Sequence, residues 1–163
     1  SYQPLNYEMI KEALEERFGG KWQIVIRLHN RLKKESRSWL NLLPSYVSDA
    51  TFYEDMQELL LCTDVGLTDY SSWIFDFVLS GKPGFIIELN LEDYENARGF
   101  YYPIDTTPFP IATSSEELAD NIRKFDAEKY AKDKDVFLAA RGCMEDGHAS
   151  ERIVEKINEL MAK

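Results

Sequence analysis

The sequence predicts an α/β domain with a doubly wound parallel sheet that helices cover on both faces. Short β-branched runs alternate four or five times with longer stretches in which apolar residues recur at helical spacing. The run WQIVIRL, 22–28, is nearly continuously apolar, as is typical of a strand that is buried on both faces. Strand and helix in alternation imply parallel pairing with right-handed crossovers, so we expect a Rossmann-like sheet.

Most of the predicted elements have a recognisable start or stop signal. Apolar residues at helical spacing predict a helix from Leu5 to Phe18, and Gly19-Gly20 ends it. Gly81 is expected to close a later helix in a left-handed conformation. Residues 31–43 are ambiguous, and 90–109 hold no long regular pattern. The remaining predicted strands are 46–51, 65–68, 84–89 and 110–113, and the remaining helices are 53–63, 72–80, 114–125, 127–140 and 150–162.

Composition narrows the possible functions of the chain. A length of 163 residues is that of one domain, and the formal net charge of −10 argues against nucleic-acid binding. Two cysteines and two histidines without metal-ligand spacing argue against a zinc site, so no metal is predicted. The use of only two cysteines suits a reducing, cytoplasmic setting. No window of 18 apolar residues and no signal-peptide pattern occurs, so no spanning helix is expected.

Charge is unevenly spread along the chain. Residues 21–37 contain six basic side chains and one acid. This local excess suits a small anionic ligand or an anionic surface, and it equally suits a solvated loop or helix.

The stretch TDYSS, 68–72, follows a predicted strand and precedes a predicted helix. Ligands of doubly wound sheets bind outside the carboxyl ends of the strands, where these side chains would lie. With Asp69 or Ser71 as N-cap, the helix start could hold a phosphate, or the stretch could be an ordinary cap. Asp76, one turn further on, is expected to support the loop by bonding a backbone or serine group.

Other candidates follow neighbouring strands. Arg27 and His29 share one face of their strand, and either could contact a phosphate, although a rim histidine without a role is equally consistent. Glu88 lies at the end of a predicted strand, where it could be either an exposed acid or a contact to a nucleotide. Arg98 lies beside Gly99 in a loop and could meet an anion or cap a helix. There is no nucleophile–base constellation, GxGxxG or P-loop, so residue chemistry predicts a phosphate-binding site and no reaction.

Several stretches together resemble the CDP-glycerol glycerophosphotransferases, the family of teichoic acid primases and polymerases. LLLCTDVGLTDYSSWIFDFVLSGKPGFII resembles the family's TDYSS segment, FDF helix and KP strand. LEDYENARGFYY resembles its RGFY segment, and DGHASERIVEKI resembles its closing helix start. IRLHN resembles a strand that ends in R-x-HP, with Asn30 in place of the proline.

The resemblance implies the C-terminal, donor-binding half of a GT-B fold over 1–163, without the acceptor-side domain that holds the family's expected catalytic base. His29, Ser71 and Ser72 would hold the donor diphosphate, Thr68 and Asp69 would shape the loop, Arg98 would meet phosphate and Glu88 would approach the nucleotide. No cofactor is expected. The expected partners are a CDP-polyol donor, a lipid-linked polyol-phosphate acceptor and a second copy of the chain, at the inner face of the cell membrane.

Two alternative functions stay open at this point. A GT-B glycosyltransferase that uses a nucleotide sugar would have the same fold, and a non-catalytic α/β binding module would show no nucleotide preference. The resemblance also implies that the family's first strand, central in the sheet, is missing here. We therefore expect either that strands 22–28 and 65–68 pair directly or that a neighbouring copy fills the gap.

Overall fold

The computed structural model describes residues 5–29, 43–69, 71–88 and 103–162, which form five short strands in parallel pairs. One sheet pairs β1, Ile24–Ile26, with β2, Val47–Asp49. The other has the order β3-β4-β5, made of Gly66–Thr68, Gly84–Ile87 and Ile111–Ala112. The parallel pairing and the intervening helices confirm the predicted α/β class.

The helices also follow the predicted order. They are α1 Tyr7–Phe18, α2 Met56–Cys62, α3 Trp73–Phe77, α4 Ser115–Arg123, α5 Ala127–Ala140 and α6 Ala149–Met161. The segment predicted as one helix over 72–80 is divided, because the five-residue α3 tightens into a 3-10 turn, Val78–Ser80. A second 3-10 turn spans Ile104–Thr106. Gly81 closes the first of these turns with a φ of +71°, as expected.

The two sheets do not pair with each other within the described residues. There β1 pairs only with β2, and β3 only with β4, so the prediction that 22–28 pairs directly with 65–68 is wrong. Residues 7–18 form a helix that packs on α4. The segment between this helix and β1 is short, so the position of the helix limits where β1 can lie. That a neighbouring copy pairs with these edges stays a prediction.

The main core lies around the second sheet. All four residues of β4 are buried, and Phe77, Phe85, Leu118 and Ile122 are almost completely inaccessible to solvent. The first sheet differs, because Val25 of β1 is 48% exposed. The prediction that strand 22–28 is buried on both faces is therefore wrong, since its pair with β2 leaves one face uncovered.

Polar contacts fix α1 to the segment around α4. Arg17 donates from Nε and Nη2 to the carbonyl oxygen of Phe125, at 3.0 and 2.7 Å. At the other end, the backbone amide of Asn6 donates to Oγ of Ser115, at 3.0 Å. These contacts hold α1 against the face of the core that α4 covers.

Lys82 ties the turn before β4 to the end of α2. Its Nζ donates to the carbonyl oxygens of Leu61 and Thr63, at 2.9 and 2.7 Å. Carbonyls at a helix C-terminus lack partners within the helix, and a cation there also interacts favourably with the helix dipole.

We expect Lys82→Met to lower the free energy of unfolding by about 1 kcal/mol, because methionine keeps the apolar stem and removes the donor. Urea denaturation of the variant measures this loss. Lys132→Met, at an exposed position on α5, is the control and should change stability by less than about 0.5 kcal/mol. Equal midpoints for both variants would contradict the capping role.

Candidate functional site at the carboxyl ends of the strands

The turn after β3 is organised by one buried hydroxyl. Thr68 is buried, and its Oγ1 accepts a hydrogen bond from the backbone amide of Ser71, at 3.2 Å. The side chains of Asp69, Ser71 and Ser72 are exposed around it. Thr68 therefore fixes the backbone of the turn through its hydroxyl, and two serine hydroxyls face solvent at the carboxyl end of β3.

The cap of α3 differs from the expectation. Ser72 is the N-cap residue, it has helical backbone angles, and its side chain makes no capping hydrogen bond. The prediction of Asp69 or Ser71 as N-cap is wrong, because the Thr68 hydroxyl already satisfies the Ser71 amide. A helix of five residues also contributes little dipole, so an anion here would depend mainly on side-chain donors.

Asp76 does not support the loop. Its side chain is exposed and makes no hydrogen bond within the described ranges. The prediction that Asp76 bonds a backbone or serine group is therefore wrong. The buried side of α3 is formed by Ile74 and Phe77, and Asp76 lies on the opposite, solvent-facing side of the helix.

Close packing between β3 and α3 positions the turn. A Cβ atom on Gly66 would lie 2.7 Å from two ring carbons of Phe77 and 3.2 Å from the ring of Trp73. The two aromatic rings meet edge to face, with centroids 5.8 Å apart. Because residue 66 is glycine, the first turn of α3 can approach the strand closely. This packing fixes the positions of Ser71 and Ser72 at the start of the helix.

At the end of β1, the two candidate side chains have different surroundings. The guanidinium of Arg27 donates from Nη1 to the carbonyl oxygen of Tyr53, so it fastens the loop after β2. His29 is exposed beyond the strand. His29 is thus the more exposed of the two, and Arg27 lies partly buried against the loop after β2.

The sequence interpretation pointed to residues 49–51 as following a strand and gave Thr51 no role. This residue is completely buried, and its Oγ1 accepts a hydrogen bond from the amide of Leu28, at 3.1 Å. Its own amide donates to Oδ1 of Asp49, at 2.8 Å. Thr51 thereby joins the carboxyl ends of β1 and β2 next to His29. An Asp-x-Thr spacing directly after a strand is the signal that could have indicated such a turn.

Glu88 lies at the carboxyl end of β4. Its backbone amide donates to the carbonyl oxygen of Ala112, at 2.7 Å, which extends the pairing of β4 with β5. Its side chain is half-buried. Glu88 therefore shares an edge with the Thr68 turn on the neighbouring strand. The predicted Arg98 lies outside the described residues.

Two features are absent from the described part of the chain. No group of three or more histidine, cysteine, aspartate or glutamate side chains there is placed to hold a metal ion. None of the helices described is both long and apolar enough to cross a membrane.

Parallel strands between helices, with hydroxyl and imidazole side chains at their carboxyl ends, define a Rossmann-like α/β domain. The similarity to a solved teichoic acid polymerase, given below, assigns this domain to the GT-B fold. The sequence profile of one family, described as CDP-glycerol:poly(glycerophosphate) glycerophosphotransferase, matches residues 3–159. The chain belongs to this family. The resemblance predicted from the TDYSS and RGFY segments is thereby confirmed.

Two curated relatives and one solved structure illustrate the similarity. The chain is 32% identical to a teichoic acid glycerol-phosphate transferase of Staphylococcus aureus over 161 residues, which cover 96% of this chain and 40% of that protein. It is 35% identical to a teichoic acid poly(ribitol-phosphate) polymerase of Bacillus spizizenii over 146 residues, or 80% of this chain and 23% of that protein. A variant of the wall teichoic acid polymerase TagF superposes with a TM-score of 0.68 at 27% identity, over 98% of this chain and 40% of that one.

The chain thus spans less than half the length of the relatives it matches. These relatives use different polyols according to their names, glycerol phosphate in one and ribitol phosphate in the other. Family membership is therefore compatible with more than one polyol.

Proposed function

We propose that this chain is the donor-binding unit of a CDP-polyol phosphotransferase that adds polyol phosphate to a teichoic-acid-like or capsular polymer. The observation that carries the proposal is the family match over 3–159. Support comes from the side chains at the carboxyl ends of β1 and β3, where His29, Ser71 and Ser72 are exposed.

In the proposed reaction, a terminal hydroxyl of the acceptor attacks the phosphorus that carries the polyol. The new oxygen–phosphorus bond forms, the bond to the CMP phosphate oxygen breaks, and CMP leaves. The hydroxyl proton passes to a base that we place outside the residues of this site. The net change is acceptor plus CDP-polyol to extended polymer plus CMP and a proton.

The role of this chain would be to hold the diphosphate in place. Serine hydroxyls and the His29 imidazole can donate to non-bridging phosphate oxygens and stabilise the charge that develops on the leaving CMP. Because α3 is short, these side chains would matter more than the helix dipole. We further propose that Arg98 contacts phosphate, that Glu88 approaches the nucleotide, and that no cofactor takes part.

We also propose a donor, an acceptor and a cellular location. The donor would be CDP-glycerol or a related CDP-polyol, and the acceptor a lipid-linked polyol phosphate. The protein would work in the cytoplasm at the inner face of the membrane, with a second copy as a possible partner.

Isothermal titration of the chain with CDP-glycerol, CDP-ribitol and UDP-glucose tests this function. We expect heat with a CDP-polyol and none with UDP-glucose, and about a tenfold weaker affinity for Ser71→Ala or His29→Ala, since each removes one charge-assisted hydrogen bond.

Matched controls are Ser45→Ala, in the turn before β2, and His148→Ala, at the start of α6, both away from the carboxyl edge. These variants should bind like the parent chain. No heat with either CDP-polyol, or equal losses in the site variants and the controls, would refute the proposal.

A further inference from the structure

A groove of about 350 Å³ lies at the amino ends of β1 and β2. The two strands are joined there by the Ile24 amide, which donates to the carbonyl oxygen of Tyr46, at 2.8 Å. The volume is near the lower end of the range for ligand sites, so the groove has room for a short stretch of a slender molecule. The candidate donor site is at the carboxyl ends of the strands, so the groove is separate from it.

Contacts within the domain fix the walls of this groove. Nζ of Lys11 donates to Oε1 of Glu15, at 2.6 Å, and lies 5.6 Å from the centre of the Tyr46 ring. Nε1 of Trp22 donates to the carbonyl oxygen of Gly19, at 2.8 Å. These side chains are therefore in place before a ligand arrives, which lowers the entropy cost of binding.

Three polar groups around the groove have no bonding partner within the described residues. Lys21 is exposed and makes no ion pair there, and the hydroxyls of Ser45 and Tyr46 make no hydrogen bond there. The hydrogen bond from Lys11 lowers the pKa of the Glu15 carboxyl, and the charge of Lys21 acts in the same direction. Because Lys11 already neutralises Glu15, the groove offers one cation and two hydroxyls, which suit phosphate and alcohol oxygens.

The charge near the groove differs from that of the whole chain. The formal net charge of −10 repels a polyanion over most of the surface. Lys21 is the first residue of the segment 21–37, whose sequence contains six basic side chains and one acid. A negatively charged polymer is therefore attracted most to the part of the domain where this segment begins.

We propose that this groove is a second binding site, for an internal stretch of the polyol-phosphate polymer that the proposed reaction extends. This inference rests on the proposed function and deepens it, because it adds a polymer site on the edge opposite the donor. Lys21 binds a phosphate, and the hydroxyls of Ser45 and Tyr46 bond to polyol or phosphate oxygens. A polymer held here stays with the protein between successive additions.

The test uses a short synthetic glycerol phosphate oligomer, with linear polyphosphate of equal charge as the comparison ligand. We expect calorimetry to show that Lys21→Gln weakens oligomer binding about fivefold, because it removes one exposed phosphate contact. Tyr46→Phe should weaken it about threefold through the loss of one hydrogen bond. Lys132→Gln, the same charge change at an exposed position on α5, is the matched control and should bind the oligomer as the parent chain does.

The indole signal of Trp22 supplies an independent readout by NMR. In the isotope-labelled chain, the Nε1–H signal that disappears in Trp22→Phe should move when the oligomer is added, because Trp22 lines the groove. The indole signal of Trp73, which packs beside Gly66 at the other site, should stay in place. A Trp22 signal that does not move would contradict binding in the groove.

The outcomes separate this inference from the proposed function. If the parent chain binds CDP-glycerol and not the oligomer, the polymer site is overturned and the donor-binding function stands. If Lys21→Gln and Lys132→Gln weaken oligomer binding equally, the attraction is to overall charge and the site is overturned. If polyphosphate binds as tightly as the oligomer and loses as much in Tyr46→Phe, the polyol assignment is overturned. Binding of the oligomer without any CDP-polyol would support the groove and refute the donor function alone.

Discussion

Gly66→Ala is expected to lower the free energy of unfolding by about 2–3 kcal/mol, the upper part of the range found when extra carbon atoms are forced into a well-packed core. The added Cβ would lie 2.7 Å from ring carbons of Phe77. Phe77 is only 1% exposed, so its ring has no free space into which it can turn. Chemical denaturation of the purified variant measures the loss.

Two further variants show whether the collision is the cause. Gly81→Ala places a methyl group in open space but at a φ of +71°, so it should cost about 1 kcal/mol from backbone strain alone. Phe77→Leu makes room for the methyl group added at position 66, so the cost of Gly66→Ala should fall by about 1 kcal/mol or more in that background, while the cost of Gly81→Ala stays the same. Equal costs for both glycines in both backgrounds would contradict the packing argument.

Tyr130→Phe is expected to become progressively more stable than the parent chain as the pH rises from about 10 to 12. Burial raises the pKa of Tyr130 to about 12, and the backbone amide of Gly84 opposes part of that shift. This amide makes no full hydrogen bond with the hydroxyl, which is buried without a partner in the described part of the chain.

The direction of this effect follows from proton binding. Between the unfolded pKa near 10 and the folded pKa near 12, the unfolded chain has released the tyrosine proton and the folded chain still holds it. The parent chain therefore loses stability with rising pH, by up to about 2 kcal/mol near pH 12, and the phenylalanine variant avoids that part of the loss.

The measurement is the difference in unfolding free energy between parent and variant at several pH values. Below pH 10 the difference should be constant and small, because removing a hydroxyl that lacks a partner costs little. Tyr46→Phe, at a partly exposed position just before β2, is the control for tyrosine ionisation in general. A difference that stays constant up to pH 12 would show that Tyr130 ionises as freely in the folded chain as in the unfolded one.

The order of elements could be predicted from the sequence because each boundary has a local chemical signal. Gly19, Gly81 and Ser114 mark helix ends through backbone freedom or side-chain capping, and the structure places a helix or turn boundary at each. The period of the apolar pattern did not reveal that α3 ends after five residues. In the 3-10 turn the Gly81 amide donates to the carbonyl oxygen of Val78, three residues back, and apolar spacing does not distinguish such a turn from a continued helix.

The sequence was sufficient to predict where the candidate site lies in the fold, and it was not sufficient to predict the hydrogen bonds within that site. The rule for parallel sheets points to the residues after each strand, and Thr68, Ser71 and Ser72 do lie together there. The hydroxyl that organises the turn belongs to Thr68, where the expectation gave the cap to Asp69 or Ser71. Arg27 is bonded to a carbonyl from a segment 26 residues away, a partner that spacing alone does not identify.

The division of the strands into two sheets has a consequence for cooperativity. His29 follows the β1–β2 pair, whereas the Thr68 turn follows β3, and no strand pairing within the described residues connects the two groups. Such a pair can open at lower free energy than a core built around β4. Under the proposed function, a donor that contacts both groups would join them as one unit, so ligand binding would supply part of the folding cooperativity that strand pairing does not provide.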